Sequence, residues 1–323
     1  MCHSPTVSII TPFYNSSAYV ERTIKSVICQ TFTDWEYVCV NDGSTDDTLH
    51  QLNEFAKIDS RIKVLNRTNG GKAAVPINAA LGYCSGNYLM ILYHDDELSP
   101  DLLQYAVKKA KVSNADVVLP NMGSHWPAAS EKDKFYVGDS ISKEFDEASV
   151  DYEKVLPPRD AFLLSLYWKI HGFGLYRMDL VKRFCYPEEG INGDEYANRF
   201  FMLRANKIAF SKGIYHYYQH NSSITRKLTV RFFDTFVTDQ KLAQLLKEEA
   251  FDEMHIKKFR AFCIKKYAKQ WLYYKMNKKS FTEEERGQIK NIFAGAKQWL
   301  QPGIFGYWYK IRYIFRSLSG ASR

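Results

Sequence analysis

The chain has 323 residues, of which 46% are hydrophobic and 25% charged, and its formal net charge is +8. This length suits one large domain or two smaller ones, and the apolar content is enough for a substantial core. No apolar run approaches the ~20 residues of a membrane-spanning helix, and the first residues lack the basic and apolar regions of a signal peptide. The composition therefore argues against an integral membrane protein and a secreted precursor.

Six cysteines show neither close pairing nor the spacing of metal ligands. Cys29 and Cys39 lie in apolar runs, where we expect small core residues. Unpaired cysteines fit a reducing compartment, so we expect a cytoplasmic protein.

Charge is divided unevenly along the chain. Residues 226–323 contain 21 Lys and Arg against 9 Asp and Glu, whereas the first 225 residues contain 23 against 27. Such asymmetry predicts that the basic region contacts something anionic. Nucleic acid, a membrane surface and a solvated helical face all satisfy this prediction.

The first 120 residues alternate short apolar strands with helical patterns. Strands are predicted at 7–11, 37–40, 62–65, 88–92 and 117–119. This alternation predicts an α/β fold with a parallel sheet and right-handed crossovers.

The first strand is not followed by the glycine pattern of a dinucleotide site, and no P-loop occurs. It ends instead in Thr11-Pro12-Phe13-Tyr14-Asn15. An aromatic ring and an amide at this position suit either stacking and hydrogen bonding with a nucleobase or packing within a loop.

The fourth strand ends in His94-Asp95-Asp96-Glu97. Carboxylates this close repel one another, and a hard divalent cation with oxygen ligands would relieve the repulsion. Ser99-Pro100-Asp101 then predicts the capped start of a helix. The alternative interpretation is an ordinary polar loop before a capped helix.

Residues 122–158 lose the regular pattern, which predicts an insertion or loop. A strand is predicted at 172–177 and a helix at 178–184. The run Gly190-Ile191-Asn192-Gly193-Asp194-Glu195-Tyr196 opens another helix. An acid at this helix start, as at Asp194, is suited to capping or to service as a general base.

The basic region is predicted to form helices at about 231–249, 251–277 and 282–299. Residues 304–318 place five apolar side chains on one helical face with basic flanks. That pattern describes either a helix at a membrane interface or a terminal helix docked on its own domain.

Several motifs, in this order and spacing, resemble the family 2 glycosyltransferases, which are inverting enzymes with the GT-A fold. The early ones are Ser8-Ile9-Ile10-Thr11-Pro12-Phe13-Tyr14-Asn15, Val40-Asn41-Asp42-Gly43-Ser44-Thr45-Asp46 and His94-Asp95-Asp96. The later ones are Gly193-Asp194-Glu195, Arg204-Ala205-Asn206-Lys207-Ile208, Tyr217-Tyr218 and Ser222-Ser223-Ile224-Thr225. The likeness covers about residues 6–226.

This resemblance implies a mostly parallel sheet flanked by helices. Residues 1–120 would form the Rossmann-like nucleotide-sugar half, residues 121–225 the acceptor half, and residues 226–323 a helical C-terminal region.

The resemblance also implies roles for individual residues. Asp194 falls at the proposed catalytic base. Asp95 falls at the last acid of the family's Asp-x-Asp motif, which contacts Mn²⁺ or Mg²⁺ on the donor diphosphate, and Asp96 is the second metal candidate. The nucleotide-binding candidates are Thr11, Pro12, Tyr14, Asp42, Asn69, Lys72, Asn78 and Asp95.

Three positions depart from the family pattern. Tyr93 replaces the first acid of Asp-x-Asp, and Gly193 replaces the glutamate of the Glu-Asp pair, with Glu195 as a fallback base. Ile77 replaces a common arginine, for which Lys72 is positioned to compensate.

The sequence therefore predicts an inverting glycosyltransferase that moves a sugar from a nucleotide donor, UDP-linked by expectation, to a glycan or lipid-linked glycan acceptor in surface polysaccharide synthesis. The C-terminal helices would contact anionic lipid on the inner membrane face. A non-catalytic nucleotide-sugar binder or partner subunit is the alternative. We expect no nucleic-acid partner, because the basic region has no recognition motif.

Overall fold

The computed structural model describes residues 4–125, 151–189, 192–218 and 229–300. The chain divides into two compact units. The first contains Met1–Glu188 and Gly193–Asn221, and the second contains Glu189–Asn192 and Ser222–Arg323.

The first unit is built on one β-sheet. Its strands are β1 (Val7–Phe13), β2 (Trp35–Asp42), β3 (Ile62–Arg67), β4 (Tyr88–Ile91), β5 (Glu97–Leu98), β6 (Val117–His125), β7 (Val155–Leu156), β8 (Leu175–Arg177) and β9 (Ile208–Tyr218). Its helices are α1 (Val20–Ile28), α2 (Thr48–Ile58), α3 (Ala74–Leu81), α4 (Leu102–Ser113), α5 (Pro158–Ser165), α6 (Met178–Phe184) and α7 (Gly193–Arg204).

Within the described residues the strand order is β3-β2-β1-β4-β8-β6-β9-β5, and β7 also pairs with β9. The first four strands are parallel, as the alternating pattern predicts. The short strand β8 then runs antiparallel between β4 and β6. The sheet is consequently mixed. The strands of the first 91 residues are parallel, and β6 and β9 also run parallel to each other.

Helices cover both faces of this sheet. One apolar cluster joins side chains on one face of the sheet to α1, α2 and α4. A second joins the opposite face to α3, α5, α6 and α7. Burial on both faces explains why β1 and β2 are buried along their whole length and why their sequences do not alternate in polarity.

The second unit is helical in its described part. Its helices are α8 (Val230–Phe233), α9 (Thr235–Glu248), α10 (Glu253–Met276) and α11 (Glu283–Leu300). Aromatic rings from all four helices pack around Phe293, which lies near Phe233, Phe236 and Tyr267. Among the helices in the described residues, none has both the length and the apolar character needed to cross a bilayer.

Several local predictions were wrong. Strand β1 continues through Pro12 to Phe13, since β4 pairs only with Val7–Ile10 and the missing N–H of Pro12 lies beyond that ladder. Ser99 does not cap α4, because its hydroxyl accepts from the backbone N–H of Ile214 (2.8 Å) and donates to Asp101. Cys29 is exposed because it follows the last turn of α1, whereas Cys39 is buried.

The predicted insertion at 122–158 is only partly described. It begins as strand, since β6 extends to His125, and residues 151–157 contain β7. Residues 126–150 and the amphipathic pattern at 304–318 lie outside the described residues.

Candidate active site

The candidate site lies at the carboxyl ends of β1, β2 and β4. Parallel strands end at the same edge of a sheet, so the segments after Phe13, Asp42 and Ile91 come together there. This is the edge at which open α/β sheets bind ligands.

Asp42 is almost fully buried at the end of β2 and is held by three donors. Arg67 Nη1 donates at 2.6 Å, and the backbone N–H of Gly70 lies 3.1 Å from each carboxylate oxygen. The Asn69 amide donates to the carbonyl oxygen of Asp42 at 2.9 Å. The structure therefore holds the turn at Asp42 against Asn69, which lies in the loop after β3.

Gly43 fixes the shape of that turn. Its φ is +73°, and an added Cβ would lie 2.7 Å from the backbone nitrogen of Asn69. Only glycine adopts this conformation without strain and permits this approach.

The loop after β1 presents Tyr14, whose side chain is 50% exposed. Asn15 has φ +47° and accepts from the backbone N–H of Thr45 at 2.8 Å, which fixes the loop beside the Asp42 turn. Thr11 is fully buried and its hydroxyl lies 2.8 Å from Tyr37 Oη. Its side chain thus belongs to the sheet, unlike the exposed ring of Tyr14.

Side chains of α1 hold the acidic loop after β4 in place by donating hydrogen bonds to its backbone carbonyl oxygens. Thr23 Oγ1 donates to the carbonyl oxygen of His94 at 2.8 Å. Arg22 donates to the carbonyl oxygen of Asp95, pairs with Glu97 at 3.0 Å, and lies 4.1 Å from the ring centroid of Tyr218. These contacts leave the Asp95 residue partly exposed at the sheet edge.

Asp96 is fully buried beneath this loop. One carboxylate oxygen accepts from Tyr215 Oη at 2.8 Å, and the other accepts from the backbone N–H of Tyr218 at 2.9 Å. Burial, with the neighbouring charge of Asp95, raises the pKa of the Asp96 carboxyl. Both carboxylate oxygens of Asp96 are therefore bonded to β9, which holds the loop that carries Asp95 in place.

Tyr93 connects the acidic loop to α7, because its phenol donates a hydrogen bond to Asp194 Oδ2. Burial and the adjacent Asp194 carboxylate both raise the pKa of the Tyr93 phenol. The residue that replaces the family's first acid thus contacts the predicted base.

Gly193 is enclosed at the start of α7. An added Cβ would lie 2.0 Å from the carbonyl oxygen of Pro187. The family's glutamate therefore has no space here, and the first acids of the helix are Asp194 and Glu195.

A cleft opens beside these two acids. It is bounded by α5, by α7 and by the segment between them, and its walls include Ser165, Trp168, Phe173, Asp194, Glu195 and Asn198. The buried Arg199 donates to the carbonyl oxygen of Glu195 at 2.9 Å and lies 3.6 Å from its carboxylate.

Lys72 and Asn78 reach a different segment. Lys72 Nζ donates to the carbonyl oxygen of Glu188 at 2.8 Å. The Asn78 amide donates to the Tyr186 carbonyl oxygen (2.8 Å) and accepts from the Tyr186 backbone N–H (2.9 Å). These hydrogen bonds connect α3 and the turn before it to the segment before α7. Ile77, at the position of the family's arginine, is fully buried.

Sequence reasoning did not identify four residues that organise the site: Arg22, Arg67, Trp168 and Arg199. Only Arg67 carried a usable signal, because it lies two residues after the third predicted strand, 62–65. No group of three or more His, Cys, Asp or Glu side chains forms a cation cage in the part of the chain that the structure describes.

Residues 8–154 match the sequence model of Glycosyl transferase family 2. Over these residues the chain matches this family, and its mixed sheet with flanking helices is the GT-A fold.

Curated proteins with similar sequences include two that are named as glycosyltransferases. The chain is 28% identical to Glycosyltransferase GlyA of Streptococcus pneumoniae over 72% of its own length and 33% of GlyA. It is 25% identical to Glycosyltransferase GlyG of the same organism over 69% and 74%. It is 38% identical to the Hyaluronan synthase of Pasteurella multocida over 32% and 11%. The chain thus spans about one third of GlyA and most of GlyG.

Solved structures share the fold. TarS 1–349 of S. aureus in complex with UDP superposes with a TM-score of 0.63 and 21% identity over 90% of this chain and 80% of that one. The mannosyltransferase PcManGT of Pyrobaculum calidifontis, solved with GDP-Man and Mn²⁺, gives a TM-score of 0.53 and 14% identity over 92% and 87%.

Proposed function

We propose that this protein is an inverting glycosyltransferase that moves a hexosyl or N-acetylhexosaminyl group from a UDP-linked donor to a glycan or lipid-linked glycan in bacterial surface polysaccharide synthesis. The family match and the UDP complex of TarS support the donor class. The observation that carries the proposal is the hydrogen bond from Tyr93 to Asp194, because it links the acidic loop on the donor side to the predicted base.

In this proposal the nucleotide lies over the ends of β1 and β2. Tyr14 offers an exposed ring to the nucleobase, and Asp42 lies beside it, hydrogen-bonded to Asn69 of the loop after β3. Pro12 contributes the fixed backbone that leads to Tyr14. The polar groups of Thr11, Lys72 and Asn78 are each hydrogen-bonded within the protein, as those of Asp42 and Asn69 are, and their nucleotide contacts stay predictions.

Asp194 would act as the general base. Its carboxylate takes the proton of the acceptor hydroxyl while that oxygen bonds to the anomeric carbon and the bond to the donor diphosphate breaks. Such a single displacement inverts the anomeric centre and releases UDP. The Tyr93 phenol fixes one carboxylate oxygen, and Glu195 on the same turn is the alternative base.

Asp95 would hold Mn²⁺ or Mg²⁺. One carboxylate with diphosphate and water oxygens is a common ligand set for Mg²⁺, so the absence of a protein cage among the described residues fits a cation that arrives with the donor. The cation would neutralise the leaving diphosphate. Asp96, whose two oxygens are already bonded, would support Asp95 from behind.

A nucleotide-release assay tests this function. UDP-, GDP- and dTDP-sugars are screened with Mn²⁺ or Mg²⁺ for wild type, Asp194→Asn, Asp95→Ala and the exposed control Asp179→Asn. We expect release of one nucleotide, a loss of at least 100-fold in the first two variants, and normal release in the control.

The alternative is a non-catalytic nucleotide-sugar binder, which Tyr93 and Gly193 favour because both replace family acids. UDP binding by calorimetry without any release would support the binder. Release that Asp194→Asn leaves unchanged would contradict the assignment of the base.

We further propose that residues 226–323 form a separate basic helical region that contacts anionic lipid at the inner membrane face. The division of the chain into two units and its uneven charge support this placement.

A further inference from the structure

Trp168 has an unusual backbone at the end of α5. Its φ is +56°, in the left-handed region that glycine favours. The backbone N–H of Lys169 donates to the carbonyl oxygen of Leu164 at 3.1 Å, which is the bond that closes a helix in this manner. A bulky side chain in this conformation is rare and often marks a functional site.

The indole is supported from within the protein. The Arg199 guanidinium lies 4.8 Å from its ring centroid, and Arg199 is only 6% exposed. The same guanidinium donates to the carbonyl oxygens of Ser165 and Glu195, at 3.3 and 2.9 Å. One buried cation therefore fixes both the aromatic ring and the start of α7, where the predicted base lies.

The rest of the cleft combines apolar and polar walls. Phe173 packs on Tyr215 with ring centroids 4.7 Å apart and meets Tyr93 edge-on at 6.0 Å. Gly172 makes space for Asn198, since an added Cβ would lie 2.7 Å from the Asn198 Cβ. The amide of Asn198 and the carboxylates of Asp194 and Glu195 provide polar groups on the same cleft.

The enclosed space of this cleft is about 30 Å³, so a pyranose ring would stack at its open side, and the lining suits that contact. A pyranose has a face of C–H groups that packs on an aromatic ring and hydroxyls that bond to amides and carboxylates at its edge. The cleft is formed by α5, α7 and the segment between them, away from the ends of β1 and β2 where the nucleotide is proposed to lie. Because Asp194, the predicted general base for the acceptor hydroxyl, lines this cleft, a sugar held here would be placed as the acceptor.

We propose that Trp168, backed by Arg199, is the platform on which the acceptor pyranose stacks, so that the acceptor hydroxyl faces Asp194. This inference rests on the proposed function, because it takes the acceptor from that reaction. It adds a specificity-determining residue that no motif contains.

Saturation-transfer NMR tests the platform directly. Methyl pyranosides of glucose, galactose, N-acetylglucosamine, N-acetylgalactosamine, mannose and rhamnose are each mixed with the full chain and with UDP in one tube. We expect at least one glycoside to receive saturation, strongest on the C–H groups of one ring face, and UDP to receive it independently.

Three variants distinguish stacking from structure. Trp168→Ala is expected to reduce glycoside saturation at least fivefold, and Trp168→Phe to retain most of it, with the UDP signal unchanged in both. Trp168→Gly removes the same side chain but relaxes the left-handed backbone, so it keeps the test valid if the alanine variant does not fold. Tyr83→Ala, which removes a ring that is 55% exposed elsewhere on the unit, is the control.

The outcomes separate this inference from the proposed function. No glycoside saturation in wild type, or equal saturation in wild type and Trp168→Gly, overturns the platform while a UDP signal leaves the function standing. Glycoside saturation that depends on Trp168, without any UDP signal, keeps the platform and contradicts the proposed donor.

Discussion

At Gly193 the structure explains why this chain departs from its family. A side chain here would meet the carbonyl oxygen of Pro187 at 2.0 Å, a contact that only backbone movement relieves. The helix therefore starts with glycine, and its first carboxylates are those of Asp194 and Glu195. A side chain at residue 193 would therefore require the Pro187 backbone to move.

Gly193→Ala should accordingly destabilise the first unit by about 2–3 kcal/mol, the usual cost of forcing extra atoms into a packed site. Urea unfolding measures the change. Gly82→Ala is the matched control, because an added Cβ at Gly82 meets nothing within 4 Å. A Gly193→Ala protein as stable as the Gly82→Ala protein would show that the Pro187 backbone moves aside at little cost.

Single residues of the site were predictable where a strand or helix end places them. Asp42 ends a buried strand, Asp95 follows one and Asp194 begins a helix, so the sequence alone placed all three at the ends of elements. Their partners were not predictable, because Tyr93 and Asp194 are 101 residues apart and the sequence does not encode that contact locally. Trp168 carried no signal, because glycine or asparagine usually marks a helix end with a left-handed backbone.

Among the elements, the segment that leads into β8 contains a buried histidine. His171 Nε2 donates to the carbonyl oxygen of Pro120 at 2.8 Å, which ties this segment to β6. Burial lowers the pKa of His171 to about 4. The folded state thus holds a neutral imidazole, whereas the unfolded chain binds a proton near the usual histidine pKa of about 6.5.

Stability should therefore fall as the pH falls from about 6.5 towards 4, because protons bind the unfolded state more readily. His171 alone should lower the free energy of unfolding by about 2 kcal/mol between pH 7 and pH 5. Urea unfolding at pH 7 and pH 5 measures this loss of stability. The loss between the two pH values should be about 2 kcal/mol smaller in His171→Asn than in wild type. Equal changes in the two proteins would contradict the prediction, and the exposed His50→Asn serves as control.

Elements with a strong periodic sequence pattern were predicted correctly. Strands that depend on pairing with a distant strand were not. Helix α6 was predicted at its observed bounds, Met178–Phe184, because its local pattern specifies it. Strand β5 has two residues, Glu97 and Leu98, and forms only because β9 pairs with it. The antiparallel direction of β8 likewise depends on the chain's return between β4 and β6, which a short apolar run does not specify.

For the whole molecule, the division of charge matches a division of structure. The first unit carries the candidate site, and the second unit contains most of the basic C-terminal residues. The charge asymmetry was visible in the sequence, whereas the packing of the second unit around aromatic rings was not, because aromatic residues occur throughout the chain.

Helix α10 offers a way to test the proposed membrane contact. Lys258, Lys265 and Lys269 are exposed on it, and Met254 and Phe262 are 67% and 36% exposed. Spacings of three, four and seven residues place these side chains along one face, which is suited to an anionic lipid surface with some apolar contact.

The protein should therefore sediment with phosphatidylglycerol vesicles at 0.1 M salt and dissociate at about 0.5 M, where electrostatic attraction is largely screened. Each lysine near an anionic surface contributes about 1 kcal/mol, so changing all three to Glu should reduce binding more than tenfold. Vesicles of phosphatidylcholine alone are the control. Binding that is insensitive to salt, or unchanged in the triple variant, would show that α10 does not form the lipid contact. Tight binding by the triple variant that still depends on salt would place the contact in residues 301–323, which carry four further basic side chains.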